Sequence, residues 1–208
     1  MSQIVDQSMR KIKILFLAAN PSDETRLRLG AEAAKIKEAL ESSTTRDDFT
    51  FSEEHAVRLD SIQRIILKQG PTIAHFSGHG SSVGELVFED QQGKSVPADP
   101  KAIAELFRLA GENTRLIVLN ACYSRTQAEA LTQYVDAVIG MDQAIPDETA
   151  IAFSKSLYEA LGERRDIKTA FELAKNYLAL HRLLGADIPV LVERLGTPAA
   201  GVVILPPQ

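Results

Sequence analysis

A histidine and the only cysteine of this sequence form a candidate pair for nucleophilic chemistry. His79 stands in the run Ser-Gly-His-Gly, and Cys122 follows 43 positions later in the run Asn-Ala-Cys-Tyr. A free thiol is mostly protonated at neutral pH and therefore attacks a carbonyl group slowly. A nearby imidazole stabilises the thiolate and, once protonated, can give its proton to a leaving amine. The pair is therefore a candidate nucleophile and general acid–base.

Both residues follow short apolar runs that predict buried parallel strands. Residues 72–77 precede His79 and residues 115–119 precede Cys122, and continuous apolar runs of this length are typical of such strands. Open α/β sheets bind ligands at the carboxyl ends of their strands, and neighbouring strands lie about 4.8 Å apart. We therefore expect His79 and Cys122 to share one edge of the sheet. A helix predicted from about Thr126 would direct its positive end toward Cys122 and stabilise the thiolate.

Predicted strands alternate with predicted helices along the chain. Strands are expected at 12–19, 49–57, 72–77, 115–119 and 135–140, a hairpin within 86–96, one or two strands in 188–205, and helices at 22–41, 61–68, 100–109, 126–133, 147–161 and 167–180. Ser22 or Asp23 is the expected cap of the first helix. The alternation predicts a three-layer α/β fold with a mostly parallel central sheet and helices on both faces. We expect a flexible N-terminal segment at 1–10 and a single domain at 11–208.

Composition and charge exclude several classes of protein. The 208 residues are 45% hydrophobic and 25% charged, with a net charge of −5, whereas a nucleic-acid-binding protein needs a basic face. No apolar run approaches the roughly 18 residues of a membrane span. One cysteine cannot form an internal disulfide, and the polar residues 1–11 lack the apolar core of a signal peptide. We therefore expect a cytoplasmic protein that binds neither nucleic acid nor membrane.

The remaining motifs predict no second site. The glycines at 78, 80 and 84 follow a predicted strand, but they miss the dinucleotide-binding spacing by one residue, and the lysine of a phosphate-binding loop is missing. His75 and His79 are four residues apart, which is a zinc-ligand spacing only on a helix. This segment is extended and broken by glycine, so His75 is expected to pack into the sheet. The sequence therefore predicts no metal and no cofactor.

The two motifs resemble the CHAT domain family of caspase-like cysteine proteases, within the caspase-hemoglobinase superfamily. The resemblance rests on His-Phe-Ser-Gly-His-Gly at 75–80 and Leu-Asn-Ala-Cys-Tyr-Ser at 119–124. In caspases a histidine also stands about 50 residues before an Ala-Cys pair. Further similar stretches lie at 20–21, 26–29, 138–141 and 147–153. The resemblance extends from about residue 10 to 205, and it implies a caspase-hemoglobinase fold, hydrolysis of peptide bonds and a bacterial defence setting.

The resemblance implies a role for the residues of both motifs. His79 corresponds to the catalytic base and acid, and Cys122 to the nucleophile, in a dyad that needs no third carboxylate. The backbone N–H groups of Gly80 and Cys122 correspond to the oxyanion hole, which would hold the oxygen of a tetrahedral intermediate. Ser77 and Gly78 complete the histidine motif.

The resemblance leaves the substrate preference open. Metacaspase-like relatives carry an aspartate two positions before the cysteine, where this sequence has Asn120. Separase-like relatives, which cut after arginine, place an acid in the segment that corresponds to 140–147. This segment contains Asp142 and Asp147, but Ala144 aligns best with that acid. Asn120, Asp142 and Ala144 are candidates for the substrate pocket, and they do not indicate a preference for a basic residue.

The sequence thus predicts a cysteine endopeptidase that cleaves a protein or peptide substrate through His79 and Cys122. Because the chain shows no recognition module of its own, a partner protein is expected to activate it or to select its substrate. The alternative is a catalytically silent CHAT-like scaffold or binding module in a larger assembly.

Overall fold

The computed structural model describes residues 11–196 and 198–205, and this part of the chain contains nine strands and six α-helices. The strands are β1 (Ile12–Ala18), β2 (Phe49–Glu54), β3 (Ile73–Ser77), β4 (His79–Gly80), β5 (Leu86–Glu89), β6 (Ser95–Ala98), β7 (Leu116–Asn120), β8 (Ala137–Met141) and β9 (Pro189–Glu193). The helices are α1 (Leu29–Ser42), α2 (Ile62–Gln69), α3 (Pro100–Ala110), α4 (Arg125–Leu131), α5 (Asp147–Gly162) and α6 (Ile167–Leu180). Most predicted elements are confirmed to within a few residues.

Six strands form the central sheet in the order β2-β1-β3-β7-β8-β9. The first five run parallel to one another, and β9 runs antiparallel to β8. Strands β3 and β7 pair in register, so that Ser77 lies opposite Asn120 at their carboxyl ends. The predicted hairpin is present as β5 and β6, which join β4 in a separate antiparallel sheet.

Helices cover both faces of the central sheet because its inner strands are apolar on both sides. In β1, Ile14 and Phe16 pack on the side of α1, α5 and α6, whereas Leu15 and Leu17 pack on the side of α2, α3 and α4. This alternation follows from the two-residue period of a strand. Both sets are buried. The predicted three-layer α/β fold is thereby confirmed.

The first helix is shorter than the sequence pattern predicts. Helix α1 begins at Leu29 rather than near Ser22 or Asp23. The side chain of Asp23 does not cap a helix, because it accepts a hydrogen bond of 2.8 Å from the backbone N–H of Ser95 in β6. Residues 20–28 therefore form a loop, the β1–α1 loop, which lies beside the carboxyl ends of the strands.

One sequence-based expectation concerns a segment outside the described residues. The predicted flexible segment 1–10 lies outside them, as do Thr197 and residues 206–208, so the division into a flexible segment and one domain stays a prediction. None of the described helices combines the length and the apolar character that crossing a bilayer requires.

Candidate active site

The carboxyl ends of β3 and β7 carry the two residues of the candidate dyad. Ser77 and Asn120 pair in register, and the Gly78 N–H donates a hydrogen bond of 3.2 Å to the Asn120 carbonyl. His79 and Cys122 stand two positions beyond the paired residues, and both line one pocket. The structure therefore brings the two residues together at one edge of the sheet, as the strand pattern predicts.

Close approach of main chains explains the two glycines that flank His79. A Cβ atom at Gly80 would lie 1.9 Å from the carbonyl oxygen of Cys122, and a Cβ atom at Gly78 would lie 2.7 Å from the carbonyl oxygen of Ala19. Main-chain atoms cannot move aside as a flexible side chain can, so both positions require glycine. The main chain of Gly80 thus packs directly against that of Cys122. An oxyanion hole formed by their N–H groups stays a prediction.

The chain turns sharply after Cys122. Tyr123 has a φ of 57°, in the left-handed region that costs a non-glycine residue roughly 1–2 kcal/mol. Ser124 holds the turn, because its hydroxyl donates to the Leu119 carbonyl at 3.1 Å and accepts from the Met141 N–H at 2.9 Å. Helix α4 begins at the next residue. The cysteine is therefore held on a tight turn between a buried strand and a helix.

A backbone carbonyl decides which nitrogen of His79 is free to act. The Nε2 atom of His79 lies 2.8 Å from the carbonyl oxygen of Thr25 in the β1–α1 loop. A carbonyl oxygen can only accept a hydrogen bond, so Nε2 carries the proton and Nδ1 of the neutral ring is left as the base. Sequence motifs do not indicate Thr25, because the main-chain oxygen of any residue can accept this hydrogen bond.

The pocket beside the dyad lies between the strand ends and the first turns of α1 and α5, and its cavity volume is about 40 Å³. Its apolar lining includes Leu27, Leu29, Ile145 and Ala150, and its polar lining includes Glu32, Ser77, Asn120 and Asp147. Among the described residues, no group of three or more His, Cys, Asp or Glu side chains is placed to hold a metal ion.

The structure places one of the three predicted pocket residues in this pocket. Asn120 lines it, whereas Asp142 pairs with Arg125 on the surface, with 3.2 Å between carboxylate oxygen and guanidinium nitrogen. Solvent and the Arg125 guanidinium both contact the Asp142 carboxylate, so this side chain stays outside the pocket. Ala144 is exposed, and the neighbouring Ile145 forms the wall of the pocket instead.

The polar end of the pocket belongs to a buried hydrogen-bond network around Glu32, which is 3% exposed. Its carboxylate accepts from His75 Nε2 at 2.9 Å and from the Ser154 hydroxyl at 2.6 Å. The Asn120 amide and the Ser77 hydroxyl also donate to it. Burial by itself raises the pKa of Glu32, but His75 and the hydroxyl donors outweigh burial and hold this pKa below its ordinary value. Glu32 is therefore an ionised, buried carboxylate.

His75 is buried in the sheet, as predicted, and its ring stacks on Phe16. Its Nδ1 atom lies 3.2 Å from the Tyr158 hydroxyl. Burial, and then the charge of Glu32, raises the pKa of Tyr158 well above its ordinary value, so the hydroxyl keeps its proton. His75 thus lies between the Tyr158 hydroxyl at Nδ1 and the Glu32 carboxylate at Nε2.

Glu32 is a second site residue that motif-based reasoning missed. Glutamate on a helix is usually exposed, and its partner Asn120 stands 88 positions away in the chain. The helical pattern of the sequence does contain an indication that Glu32 is buried. Leu29, Glu32 and Ile36 follow the three- and four-residue spacing of one helical face. All three are buried.

Comparison with known proteins decides the family. A family model described as the CHAT domain matches residues 2–182. The chain belongs to the CHAT domain family. A Roc-COR-CHAT protease from an unknown prokaryotic organism is 29% identical over 180 residues, which cover 83% of this chain and 17% of the relative. A probable protease from Gillisia limnaea (strain DSM 15749 / LMG 21470 / R-8282) is 26% identical over 202 residues, which cover 89% of this chain and 36% of the relative. This CHAT chain thus spans well under half the length of either relative.

Solved structures share the fold of this CHAT domain at low sequence identity. A secreted C11 cysteine protease from Bacteroides thetaiotaomicron matches with a TM-score of 0.64 and 11% identity, over 88% of this chain and 66% of that chain. Caspase-1 from Spodoptera frugiperda matches with a TM-score of 0.59 and 14% identity, over 89% and 86% of the two chains. The CHAT domain therefore has the caspase-hemoglobinase fold that the resemblance implied.

Proposed function

We propose that this CHAT domain is a cysteine endopeptidase in which His79 and Cys122 form the catalytic dyad. The observation that carries the proposal is their common pocket at the ends of β3 and β7, where the Thr25 carbonyl holds Nε2 of His79 and leaves Nδ1 as the base. Two relatives whose names describe them as a protease and a probable protease support it.

The geometry supports an acyl-transfer mechanism in two halves. Nδ1 of His79 takes the proton of the Cys122 thiol, and the sulfur attacks the peptide carbonyl carbon. The tetrahedral intermediate collapses when the C–N bond breaks, and His79 gives its proton to the leaving amine. Water then attacks the thioester while His79 takes one of its protons. The C–S bond breaks, the acid product leaves, and the proton returns to the sulfur.

We propose in addition that a partner protein or a neighbouring domain regulates the activity. The name of the Roc-COR-CHAT relative indicates that its CHAT part is joined to Roc and COR parts, and this chain matches 17% of that relative. A cytoplasmic location and a role in bacterial defence are proposals that rest on the family resemblance. Comparing the thiol reactivity of this chain alone with that of the longest natural protein containing it would test the regulation. Equal reactivity and equal cleavage in both forms would contradict it.

The decisive experiment on the dyad measures cleavage and thiol reactivity separately. Mass spectrometry of new N-termini in a peptide library should show cleavage by the wild type and none by Cys122→Ala, with the fold of both proteins intact. Iodoacetamide near pH 6 should label Cys122 much faster than a model thiol, because the imidazole stabilises the thiolate. His79→Ala should slow the labelling, whereas the control His55→Ala, at an exposed histidine, should not.

The same experiment can also identify the alternative function, a catalytically silent scaffold. Cleavage that persists in Cys122→Ala would overturn the proposal. A wild-type thiol that reacts no faster than a model thiol, in a folded protein that cleaves no peptide alone or within its longer natural form, would identify a silent scaffold.

A further inference from the structure

A single buried carboxylate joins the carboxyl ends of the two strands that carry the candidate dyad. Ser77 is the last residue of β3, and Asn120 is the last residue of β7. The Ser77 hydroxyl donates to one carboxylate oxygen of Glu32, and the Asn120 amide donates to the other at 2.5 Å. Glu32 belongs to α1, outside the sheet. Its side chain therefore bridges β3 and β7 at the point where their pairing ends.

His79 and Cys122 lie just beyond this bridge. Each stands two positions after its bridged residue, past Ser77 and Asn120, which form the last pair of the β3–β7 ladder. A hydrogen bond to a charged group is stronger than one between neutral groups, so the carboxylate restrains both strand ends more firmly than the ladder alone. A change in the separation of the two strand ends would move His79 and Cys122 with respect to each other.

The bridge is itself held by two further elements. The Ser154 hydroxyl of α5 donates to the Glu32 carboxylate at 2.6 Å, and Nε2 of His75 in β3 lies 2.9 Å from it. All three side chains are buried, and α1 packs against α5. Water therefore does not compete for these hydrogen bonds, and a fully satisfied buried network of this kind is rigid. The carboxylate has a fixed position from which it can hold both strand ends.

The charge of Glu32 does not by itself favour a reactive thiol. Glu32 and Cys122 line the same pocket, and a negative charge near a thiol opposes its ionisation, because like charges repel. A direct electrostatic effect of Glu32 would therefore slow the attack by Cys122. Any benefit of this carboxylate to the dyad comes from the positions that it imposes.

We propose that Glu32 is a positioning residue of the dyad: its carboxylate holds the ends of β3 and β7 at the separation that places the His79 imidazole beside the Cys122 thiol. Glu32 acts through Ser77 and Asn120, which carry its hydrogen bonds to the two strands. Its importance for peptide cleavage rests on the proposed function. The thiol–imidazole pair is nevertheless measurable without a substrate, because iodoacetamide reports the reactivity of the cysteine directly.

The test removes each arm of the bridge separately and then both together. Ser77→Ala and Asn120→Ala each remove one donor. Each should slow alkylation of Cys122 about tenfold near pH 6, within the roughly 100-fold that a misplacement of about 1 Å can cost. Freeing one strand end already breaks the bridge, so the double variant should be slowed about as much as the slower single variant. Independent effects of the two residues would instead multiply to about 100-fold.

The pH dependence of alkylation separates a change in position from a loss of stability. An imidazole farther from the sulfur stabilises the thiolate less, so alkylation of both single variants should rise at a higher pH than that of the wild type. The matched control is Thr114→Ala. The Thr114 hydroxyl donates to the Pro71 carbonyl at 2.9 Å, and these residues shortly precede β7 and β3, at the opposite ends of the same strands. This control should lose stability and keep the wild-type pH dependence.

Glu32→Asp separates the position of the carboxylate from its charge. Aspartate keeps the charge and withdraws the carboxylate from the strand ends by one methylene group. This variant should slow alkylation as the loss of one arm does, whereas a role of the charge alone would leave the rate at the wild-type value. Should Glu32→Asp fail to fold, the Ser77 and Asn120 variants decide the question on their own.

The outcomes distinguish this inference from the proposed function. Wild-type alkylation rates and pH dependence in folded Ser77→Ala and Asn120→Ala would overturn the inference, while Cys122-dependent peptide cleavage would keep the protease. Multiplying effects in the double variant, or an equal shift of the pH dependence in Thr114→Ala, would overturn it as well. Effects that do not multiply, in a protein whose wild type cleaves no peptide, would support the positioning role of Glu32 and remove the proposed function.

Discussion

Replacing Gly80 with alanine tests whether the dyad depends on contact between the main chains of the two motifs. The new Cβ atom would lie 1.9 Å from the carbonyl oxygen of Cys122 and 2.9 Å from its carbonyl carbon. Real Cβ atoms approach other heavy atoms no closer than 3.0 Å. The segments that contain Gly80 and Cys122 must therefore move apart by roughly 1 Å, which is the difference between 1.9 and 3.0 Å. A misplacement of about 1 Å can lower a catalytic rate about 100-fold. We expect losses of this size in kcat/KM for a peptide substrate.

Two glycine variants serve as controls for Gly80→Ala. A Cβ atom at Gly30, in the first turn of α1, meets nothing within 4 Å, so Gly30→Ala should lower neither the stability nor the activity. A Cβ atom at Gly111 would lie 2.7 Å from the Phe107 carbonyl oxygen. Gly111 follows α3, near the opposite end of β7, so Gly111→Ala should lower stability without lowering the activity of the folded fraction.

The assay for the three variants combines denaturant unfolding, peptide cleavage and alkylation of Cys122 by iodoacetamide. Alkylation needs no substrate, so it reports the state of the thiol directly, and Gly80→Ala should slow it. A folded Gly80→Ala protein that keeps wild-type alkylation and cleavage would refute the reasoning. An equal loss of activity per folded molecule in Gly111→Ala would refute it too, because that variant leaves the dyad untouched.

Two further predictions concern stability. Glu32→Gln should lower the free energy of unfolding by about 3 kcal/mol near pH 7, because it breaks a buried charged network. The pKa of Glu32 is lowered in the folded state, so this wild-type advantage is complete above the unfolded value of about 4.3 and is lost as pH falls through the folded pKa. Urea titrations of both proteins from pH 7 to pH 3 would contradict the prediction if the gap stayed constant. Asp99→Ala should lower the free energy of unfolding by about 1 kcal/mol, because the Asp99 carboxylate accepts from the N–H groups of Lys101 at 2.7 Å and Ala102 at 3.0 Å. The same measurement on Asp99→Asn should show most of the stability retained, and an equal loss in both variants would contradict a capping role.

The start of α1 and the tautomer of His79 are two features that the sequence does not predict. Ser22 and Asp23 are ordinary helix caps, yet Asp23 binds the backbone of Ser95, which is distant in the chain. The Thr25 carbonyl reaches His79 only because the β1–α1 loop does not continue as a helix. Both outcomes depend on contacts between distant segments, and local propensity contains no information about such contacts.

The sequence by itself determined the alternation of strands and helices, the positions of His79 and Cys122 at strand ends, and the family. These features depend on the local spacing of residue types, and the apolar runs of β3 and β7 suffice to place the residues that follow them. Only the tertiary structure decided which acid reaches the pocket. Asp142, close to the predicted position, stays with Arg125 at the surface, whereas Glu32 contacts Asn120 across 88 positions of chain. That contact exists because α1 packs over the ends of two strands, an arrangement that the spacing of residues along the chain does not specify.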